Sequence, residues 1–131
     1  MFGIVHDAPR ANSGADDRAA RAVSGLRVRV AEGFWARFAG LMFSRSLPER
    51  EALLLPRCPS VHSCFMRYAI DVVYLDRRGL VTKLVSNLQP WRASLGGRDA
   101  AHALELAAGS IQRLGLRVDD DLNGLLSRIP T

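Results

Sequence analysis

The 131-residue sequence has few of the features that mark a disulfide-rich, redox or membrane protein. Its two cysteines, Cys58 and Cys64, are too few for a disulfide framework and lack the CxxC spacing of a redox motif. No apolar run approaches the roughly eighteen residues of a membrane span, and the first residues lack the apolar core of a signal peptide. We therefore predict a cytoplasmic protein with reduced thiols and no membrane association.

The sequence also lacks the short motifs of familiar enzyme classes. It contains no phosphate-binding glycine loop, no GxSxG nucleophile elbow and no HExxH helix. Its 18 basic residues outnumber 13 acidic ones and give a net charge of +5, but they are scattered, with no run longer than Arg77 and Arg78. Dispersed arginine is typical of a solvated surface, so nucleic acid is not a predicted partner, and weak binding to it stays an alternative.

The composition that is present predicts one globular domain. Hydrophobic residues make up 48% of the chain, which is enough for a core without metal or disulfide support. Residues 1–25 mix small, polar and charged residues with little periodicity, so we predict a disordered tail with at most a short helical turn at 15–23. Residues 26–131 are predicted to form a single compact, monomeric, β-rich domain.

Short periodic segments predict a mainly β fold. LRVRV at 26–30 alternates as a half-buried strand does, and further strands are predicted at 52–56, 61–67, 70–76, 80–88 and 101–108. A hairpin loop at 76–79 joins two of them, while short helices are predicted at 34–42 and 110–114. QPWRASLGGRD at 89–99 is predicted to be a loop, and LRVDDDL at 116–122 is predicted to be a final edge strand. Six or seven strands with short connections favour an antiparallel β-sandwich or small barrel with two or three short helices.

Asp71 is the most unusual residue of the predicted core. It lies in IDVVYL, a strand that is apolar on both faces, so its carboxylate is predicted to be buried. A buried carboxylate needs a partner, and Arg67, Arg37 and Arg45 are candidates. Alternatively, Asp71 bonds backbone amides and has a purely structural role.

Three further segments combine polar groups with apolar surroundings. His62, Cys64 and Met66 share one face of a strand, but their spacing matches no common zinc pattern, so no metal is predicted. Glu105 shares its face with small residues, which predicts either a closely packed backbone or a cleft where it works with Asp71 as acid and base. A solvated Glu105 on an edge strand explains the same pattern. Trp91, beside Arg92 in a loop, can stack on a ligand or cover the core.

Four segments together resemble the bacterial and archaeal family known as domain of unknown function 192, an uncharacterised protein family. They are RFAGLMFSRSLP at 37–48, HSCFMRYAIDVVYLDRRGLV at 62–81, QPW at 89–91 and LELAAGSIQRLGL at 104–116. The resemblance covers residues 26–124 and implies a compact, mainly β fold with short helices, no established cofactor and no assigned activity. Cys64 replaces an aromatic residue that is usual in relatives, which weakens the metal hypothesis further.

These observations favour a non-enzymatic binding or accessory module with a polar cleft for an anionic small molecule or a peptide. The alternative is a hydrolase or transferase that uses Asp71 or Glu105 with His62 as acid and base. No cofactor is predicted for either function. The candidate ligand-binding residues are Arg37, Arg45, His62, Arg67, Asp71, Trp91 and Glu105.

Overall fold

The computed structural model describes residues 13–31, 47–62, 68–90 and 92–130. Within these ranges the chain is mainly β, as the sequence predicted, with a few short helices. The helices are α1 (Ser13–Ser24), α2 (Ser110–Leu114) and a 3-10 helix (Asn123–Arg128). The strands are β1 (Arg27–Val30), β2 (Glu51–Leu55), β3 (Ser60–His62), β4 (Ile70–Leu75), β5 (Val81–Leu88), β6 (Ala93–Leu95) and β7 (His102–Ala107).

Five strands form one mixed sheet in the order β1-β2-β7-β4-β5. β1 and β2 are parallel, and the other neighbours are antiparallel. This order leaves the sheet open rather than closed into a barrel. β3 and β6 form a separate antiparallel pair, and the buried Tyr74 hydroxyl of β4 donates a hydrogen bond to the Ser94 carbonyl of β6 (2.8 Å).

The two faces of the main sheet carry different parts of the core, because successive side chains of a strand point to opposite sides. On one face, Val73, Leu75 and Leu104 pack with residues of α1, α2 and the 3-10 helix, and we call this the helical face. On the second face, Val72 and Tyr74 pack in a separate buried cluster. All six residues of β4 are buried, which makes β4 the central apolar strand that its sequence predicted.

Helix α1 extends the ordered structure into the stretch that the sequence predicted as a disordered tail. Ala19 and Val23, one helical turn apart, are buried in the cluster of the helical face. Arg18 holds the helix by donating to the Gly115 carbonyl (2.6 Å) and pairing with Asp120 (2.7 Å). The sequence predicted at most a short helical turn at 15–23 here, because a narrow apolar stripe becomes stable as a longer helix only when it packs against a core. Residues 1–12 lie outside the described ranges.

The β4–β5 hairpin agrees with its predicted position and chemistry. The Asp76 carboxylate accepts hydrogen bonds from the backbone amides of Arg78 (2.8 Å) and Leu80 (3.0 Å). Gly79 has a φ of +91°, in the left-handed region that glycine adopts without a side-chain penalty. The loop therefore ends β4 and reverses the chain as the sequence DRRG predicted.

Two local predictions near the C-terminal half were wrong. The segment 89–99 contains the short strand β6 within the predicted loop, where it pairs with β3. Residues 116–122 form turns and one isolated bridge between Leu80 and Asp121, rather than an edge strand. Here the Asp120 carboxylate accepts a hydrogen bond from the backbone amide of Arg117 (2.7 Å). This amide is therefore satisfied by a side chain instead of by the carbonyl of a neighbouring strand. The predicted helix at 34–42 lies outside the described residues.

Candidate anion-binding site

Asp71 is completely buried, as predicted, on the helical face of β4. Its Oδ1 accepts the backbone amide of Asn87 (2.8 Å), and its Oδ2 accepts that of Ile111 at the start of α2 (2.8 Å). Asn87 has a left-handed φ of +58°, which interrupts the regular geometry of β5. The Asp71 carboxylate therefore bonds both to this irregular position of β5 and to the start of α2. These contacts match the structural alternative, in which Asp71 bonds backbone amides.

Glu105 is also buried, but it lies on the second face of the sheet. Its partners in register are Val72 of β4 and Leu53 of β2, and both belong to the cluster of that face. Residues in register on neighbouring strands point to the same side. Asp71 and Glu105 are thus separated by the sheet and do not form the predicted acid and base pair.

The other five predicted site residues lie wholly or partly outside what the structure describes. Arg37, Arg45, Arg67 and Trp91 lie outside the described residues. His62 is the last residue of β3, and the structure describes its backbone only. A cleft that joins these residues to Glu105 therefore stays a prediction. Among the described side chains, no group of three His, Cys, Asp or Glu residues is placed to hold a metal ion.

A basic pocket of about 570 Å³ opens at one end of the main sheet. It lies where β2 and β4 end and where β7 begins, because β7 runs antiparallel to both. The connections that leave these strands form its walls. Charged residues dominate the lining: Arg57, Arg77, Arg78, Arg98, Asp76 and Asp99.

Four arginines against two aspartates give this lining a net charge of +2. Guanidinium groups keep their charge at any physiological pH, and each offers a planar set of donors that matches a carboxylate or phosphate. Asp76 is already engaged in the hairpin, where its carboxylate accepts two backbone amides. The electrostatics of the pocket therefore favour a negatively charged ligand.

His102, at the start of β7, is hydrogen-bonded to the backbone of Arg57, one of the pocket residues. Its Nδ1 accepts the backbone amide of Arg57 (3.0 Å), which has a left-handed φ of +55°. Burial lowers the pKa of His102 below its ordinary value of 6.5, the charge of Arg57 lowers it further, and Asp76 acts in the opposite direction. The imidazole is thus kept neutral, which is the form that can accept this hydrogen bond.

The lowered pKa of His102 predicts a loss of stability on acidification. Because the unfolded chain binds this proton more readily than the folded one, the free energy of unfolding should fall as pH drops below 6.5 and level off below the folded pKa. We expect the melting temperature to decrease more between pH 7.5 and 5.5 in the wild type than in His102→Asn. Asparagine offers an acceptor oxygen but does not titrate in this range. Equal decreases in the two proteins would contradict this role of His102.

Sequence reasoning missed the basic pocket because its arginines are far apart in the chain. Arg57 follows β2, Arg77 follows β4, and Arg98 precedes β7. Each looked like an isolated surface residue. The signal that could have found them was their position at strand ends, combined with the antiparallel pairing of β7 with β2 and β4. That pairing brings β2 and β7 together from about fifty residues apart, which local patterns do not specify.

None of the described helices is long and apolar enough to cross a membrane. The fold is similar to two solved crystal structures, each with a TM-score of 0.66 and each covering 73% of this chain. One is a protein of unknown function from Novosphingobium aromaticivorans, 20% identical, of which the match covers 73%. The other is a candidate transcription regulator from Sinorhizobium meliloti, 24% identical, of which it covers 79%.

Sequence comparison identifies closer relatives. A UPF0127 protein of Pyrococcus furiosus is 39% identical over 103 residues, which span 74% of this chain and 85% of the relative. A UPF0127 protein of Thermococcus sibiricus is 31% identical over 74% of this chain and 65% of its own length. The family model for the domain of unknown function DUF192, described as Uncharacterized ACR, matches residues 16–124. This chain therefore belongs to the DUF192 family of uncharacterised proteins.

Proposed function

We propose that this protein is a non-catalytic binding module that takes up an anionic small molecule in its basic pocket. The observation that carries the proposal is that Arg57, Arg77, Arg78 and Arg98 all line the same pocket. These residues come from three separate connections of the chain. A concentration of positive charge in one concave site raises the local concentration of anions and strengthens their binding.

The size of the pocket favours a small molecule over a peptide. Its volume of about 570 Å³ lies within the range of roughly 300–1,000 Å³ that is usual for small-ligand sites. A peptide that binds as an added strand would need a row of open backbone groups, whereas this pocket is formed by connections at the strand ends. The charge and shape of the site therefore support recognition of a compact anion.

The chemistry around the pocket supports binding more than turnover. His102 and Asp76 are base candidates near the pocket: the Nδ1 of His102 already accepts the backbone amide of Arg57, and Asp76 accepts two backbone amides through its Oδ1 alone. A general base has to accept a proton from its substrate, so its acceptor atom must be accessible to that substrate. Asp71 and Glu105, the carboxylates favoured by the sequence, are held on opposite faces of the sheet.

Isothermal titration calorimetry with a panel of carboxylate and phosphate compounds tests the proposal. We expect binding to the wild type, and a loss of about ten-fold or more in affinity in the double variant Arg77→Gln/Arg98→Gln, because charge-assisted hydrogen bonds are removed. The matched control is Arg27→Gln/Arg50→Gln, which removes the same charge from exposed positions at the start of β1 and just before β2, at the end of the sheet opposite to the pocket. This control should change the affinity less than about two-fold, since distant surface charges are screened by salt.

Two results would count against the proposed function. If none of the anions binds the wild type, the basic pocket is only a solvated surface. If both double variants lose affinity equally, binding depends on the overall positive charge of the protein rather than on this site. A steep decrease of affinity with salt for an oligonucleotide, together with no small-anion binding, would instead favour the nucleic-acid alternative.

A further inference from the structure

We infer that Asn123 is a site of spontaneous deamidation, and that its contact with the β4–β5 hairpin controls the rate of this modification. The inference does not depend on the proposed function. It starts from Asn123 and Gly124, which form the only Asn-Gly pair in the sequence. Both residues are exposed, and a Cβ added to Gly124 would meet no atom of the described chain within 4 Å. The peptide group between them is therefore open to water and hydroxide.

The reaction needs only this dipeptide and water. The Gly124 backbone nitrogen loses its proton to hydroxide and attacks the Asn123 Cγ. The new C–N bond closes a succinimide ring, and the Cγ–Nδ2 bond breaks so that ammonia leaves after taking a proton from water. Water then opens one of the ring C–N bonds and yields aspartate or β-linked isoaspartate. Glycine is the most favourable residue after the asparagine because it has no side chain to hinder the approach of its nitrogen.

The described structure holds Asn123 in a conformation that reacts slowly. Its Nδ2 donates to the Arg78 carbonyl of the hairpin (2.8 Å), and its backbone amide donates to the Asp121 Oδ1 (2.8 Å). Asn123 also begins the 3-10 helix, so its ψ is helical. A helical ψ keeps the Gly124 nitrogen away from the path of attack on the Asn123 Cγ. Ring closure therefore requires that the helix opens locally and that the side chain leaves Arg78.

The contact between the hairpin and the 3-10 helix is tight around Gly79. The Leu122 amide donates to the Gly79 carbonyl (2.9 Å). A Cβ added to Gly79 would lie only 2.6 Å from the Asn123 Cα, which is closer than two such atoms can approach. A change that separates Gly79 from Asn123 should therefore also release the Asn123 side chain from Arg78.

Deamidation removes the contact that slowed it. An aspartate at position 123 has acceptor oxygens and no donor, so a carboxylate oxygen would face the Arg78 carbonyl. Its negative charge would also lie near the Asp121 carboxylate. Isoaspartate would lengthen the main chain by one CH₂ group at the point of closest approach to Gly79. The modified helix cannot restore the original contact, so each modified molecule keeps a weakened hairpin contact.

Timed incubation of the full chain at mildly alkaline pH, followed by trypsin digestion and mass spectrometry, measures the reaction. Asn123 is recovered in the segment 118–128, and Asn87, which precedes a leucine, serves as an internal reference that should react more slowly. We expect Asn123 to react at least about ten-fold more slowly in the native protein than in guanidinium chloride, because only the locally open state reacts. In guanidinium chloride, Gly124→Ala should slow the reaction about ten-fold.

Two glycine variants separate the hairpin contact from overall stability. Gly79→Ala should accelerate native deamidation about ten-fold, since its Cβ displaces Asn123 from the hairpin. Gly97→Ala has a similar φ but no clash, and should change the rate less than about two-fold. Asp121→Ala removes the acceptor of the Asn123 amide and provides a milder variant, which should accelerate the reaction about three-fold.

The effect of the product is measured separately on the melting temperature. Asn123→Asp reproduces the product with the normal peptide linkage. We expect it to melt about 3 °C lower than Asn123→Ala, which removes the donor without adding a charge or an acceptor.

Four outcomes would overturn the inference. If Gly124→Ala reacts as fast as the wild type in guanidinium chloride, the Gly124 nitrogen is not the nucleophile. Equal rates in the native and unfolded chain would show that the folded structure does not control the reaction. If Gly79→Ala and Gly97→Ala accelerate it equally, the rate follows overall stability rather than the hairpin contact. If Asn123→Asp and Asn123→Ala melt together, the product does not weaken that contact beyond the loss of its donor.

Discussion

Replacing Asp71 with alanine is expected to lower the free energy of unfolding by about 2–5 kcal/mol. The substitution removes the carboxylate that accepts the amides of Asn87 and Ile111, and the Ile111 amide is buried. A buried donor without an acceptor costs about 1–3 kcal/mol, in addition to the lost charged hydrogen bonds. Urea denaturation measures the total. Hydrogen exchange should show faster exchange at these two amides in particular.

Two variants serve as controls for Asp71→Ala. Asp71→Asn keeps the shape of the side chain but has only one acceptor oxygen, so we expect an intermediate loss of stability. Asp99→Ala removes an exposed carboxylate and should change stability by less than about 0.5 kcal/mol. If Asp71→Ala were as stable as Asp99→Ala, other groups would have to satisfy both amides, and the structural role of Asp71 would be rejected.

Replacing Gly79 with alanine is expected to cost about 2–4 kcal/mol, for two separate reasons. Gly79 has a φ of +91°, which an alanine adopts only with strain. A Cβ at this position would also lie 2.6 Å from the Asn123 Cα and 2.9 Å from the Asn123 nitrogen. Both contacts are with backbone atoms, which cannot move aside as a flexible side chain would. The melting temperature and the urea midpoint should both decrease.

Gly97 provides a matched control for Gly79 because it has almost the same backbone conformation. Its φ is +93°, but a Cβ there would meet no atom within 4 Å. Gly97→Ala should therefore cost only the conformational strain, about 1–2 kcal/mol. The difference between the two variants measures the steric clash with the 3-10 helix. Equal effects would show that the close approach of Gly79 to Asn123 does not contribute.

The predictable parts of this fold are those specified by neighbouring residues. β4, its hairpin and β7 were all predicted, because alternating or continuous apolar residues lie between clear turn residues such as Asp76 and Gly79. The short helix predicted at 110–114 is α2, and it is closed by Gly115 with a φ of +68°, a conformation in which glycine commonly ends a helix. In these segments local chemistry and tertiary packing favour the same structure.

The unpredicted parts depend on contacts between distant segments. Helix α1 is held by Arg18, whose partners Gly115 and Asp120 lie about a hundred residues away. β6 is only three residues long and exists as a strand because it pairs with β3. The partners of Asp71 were left open for a related reason. The apolar sequence of β4 predicted that Asp71 is buried. The backbone amides that donate hydrogen bonds to Asp71, however, belong to an irregular position of β5 and to α2, which β4 does not specify.

The strand order has a consequence for how the protein can assemble during synthesis. β7 lies between β2 and β4, yet it is made after both of them. A nascent chain that has left the ribosome only as far as β5 can form the β4–β5 hairpin, but it cannot join that hairpin to β2. Pairing between distant strands is slow, and unpaired apolar strand edges promote aggregation until they are covered. Pairing of β2 with the β4–β5 hairpin therefore requires that residues 102–107 have left the ribosome.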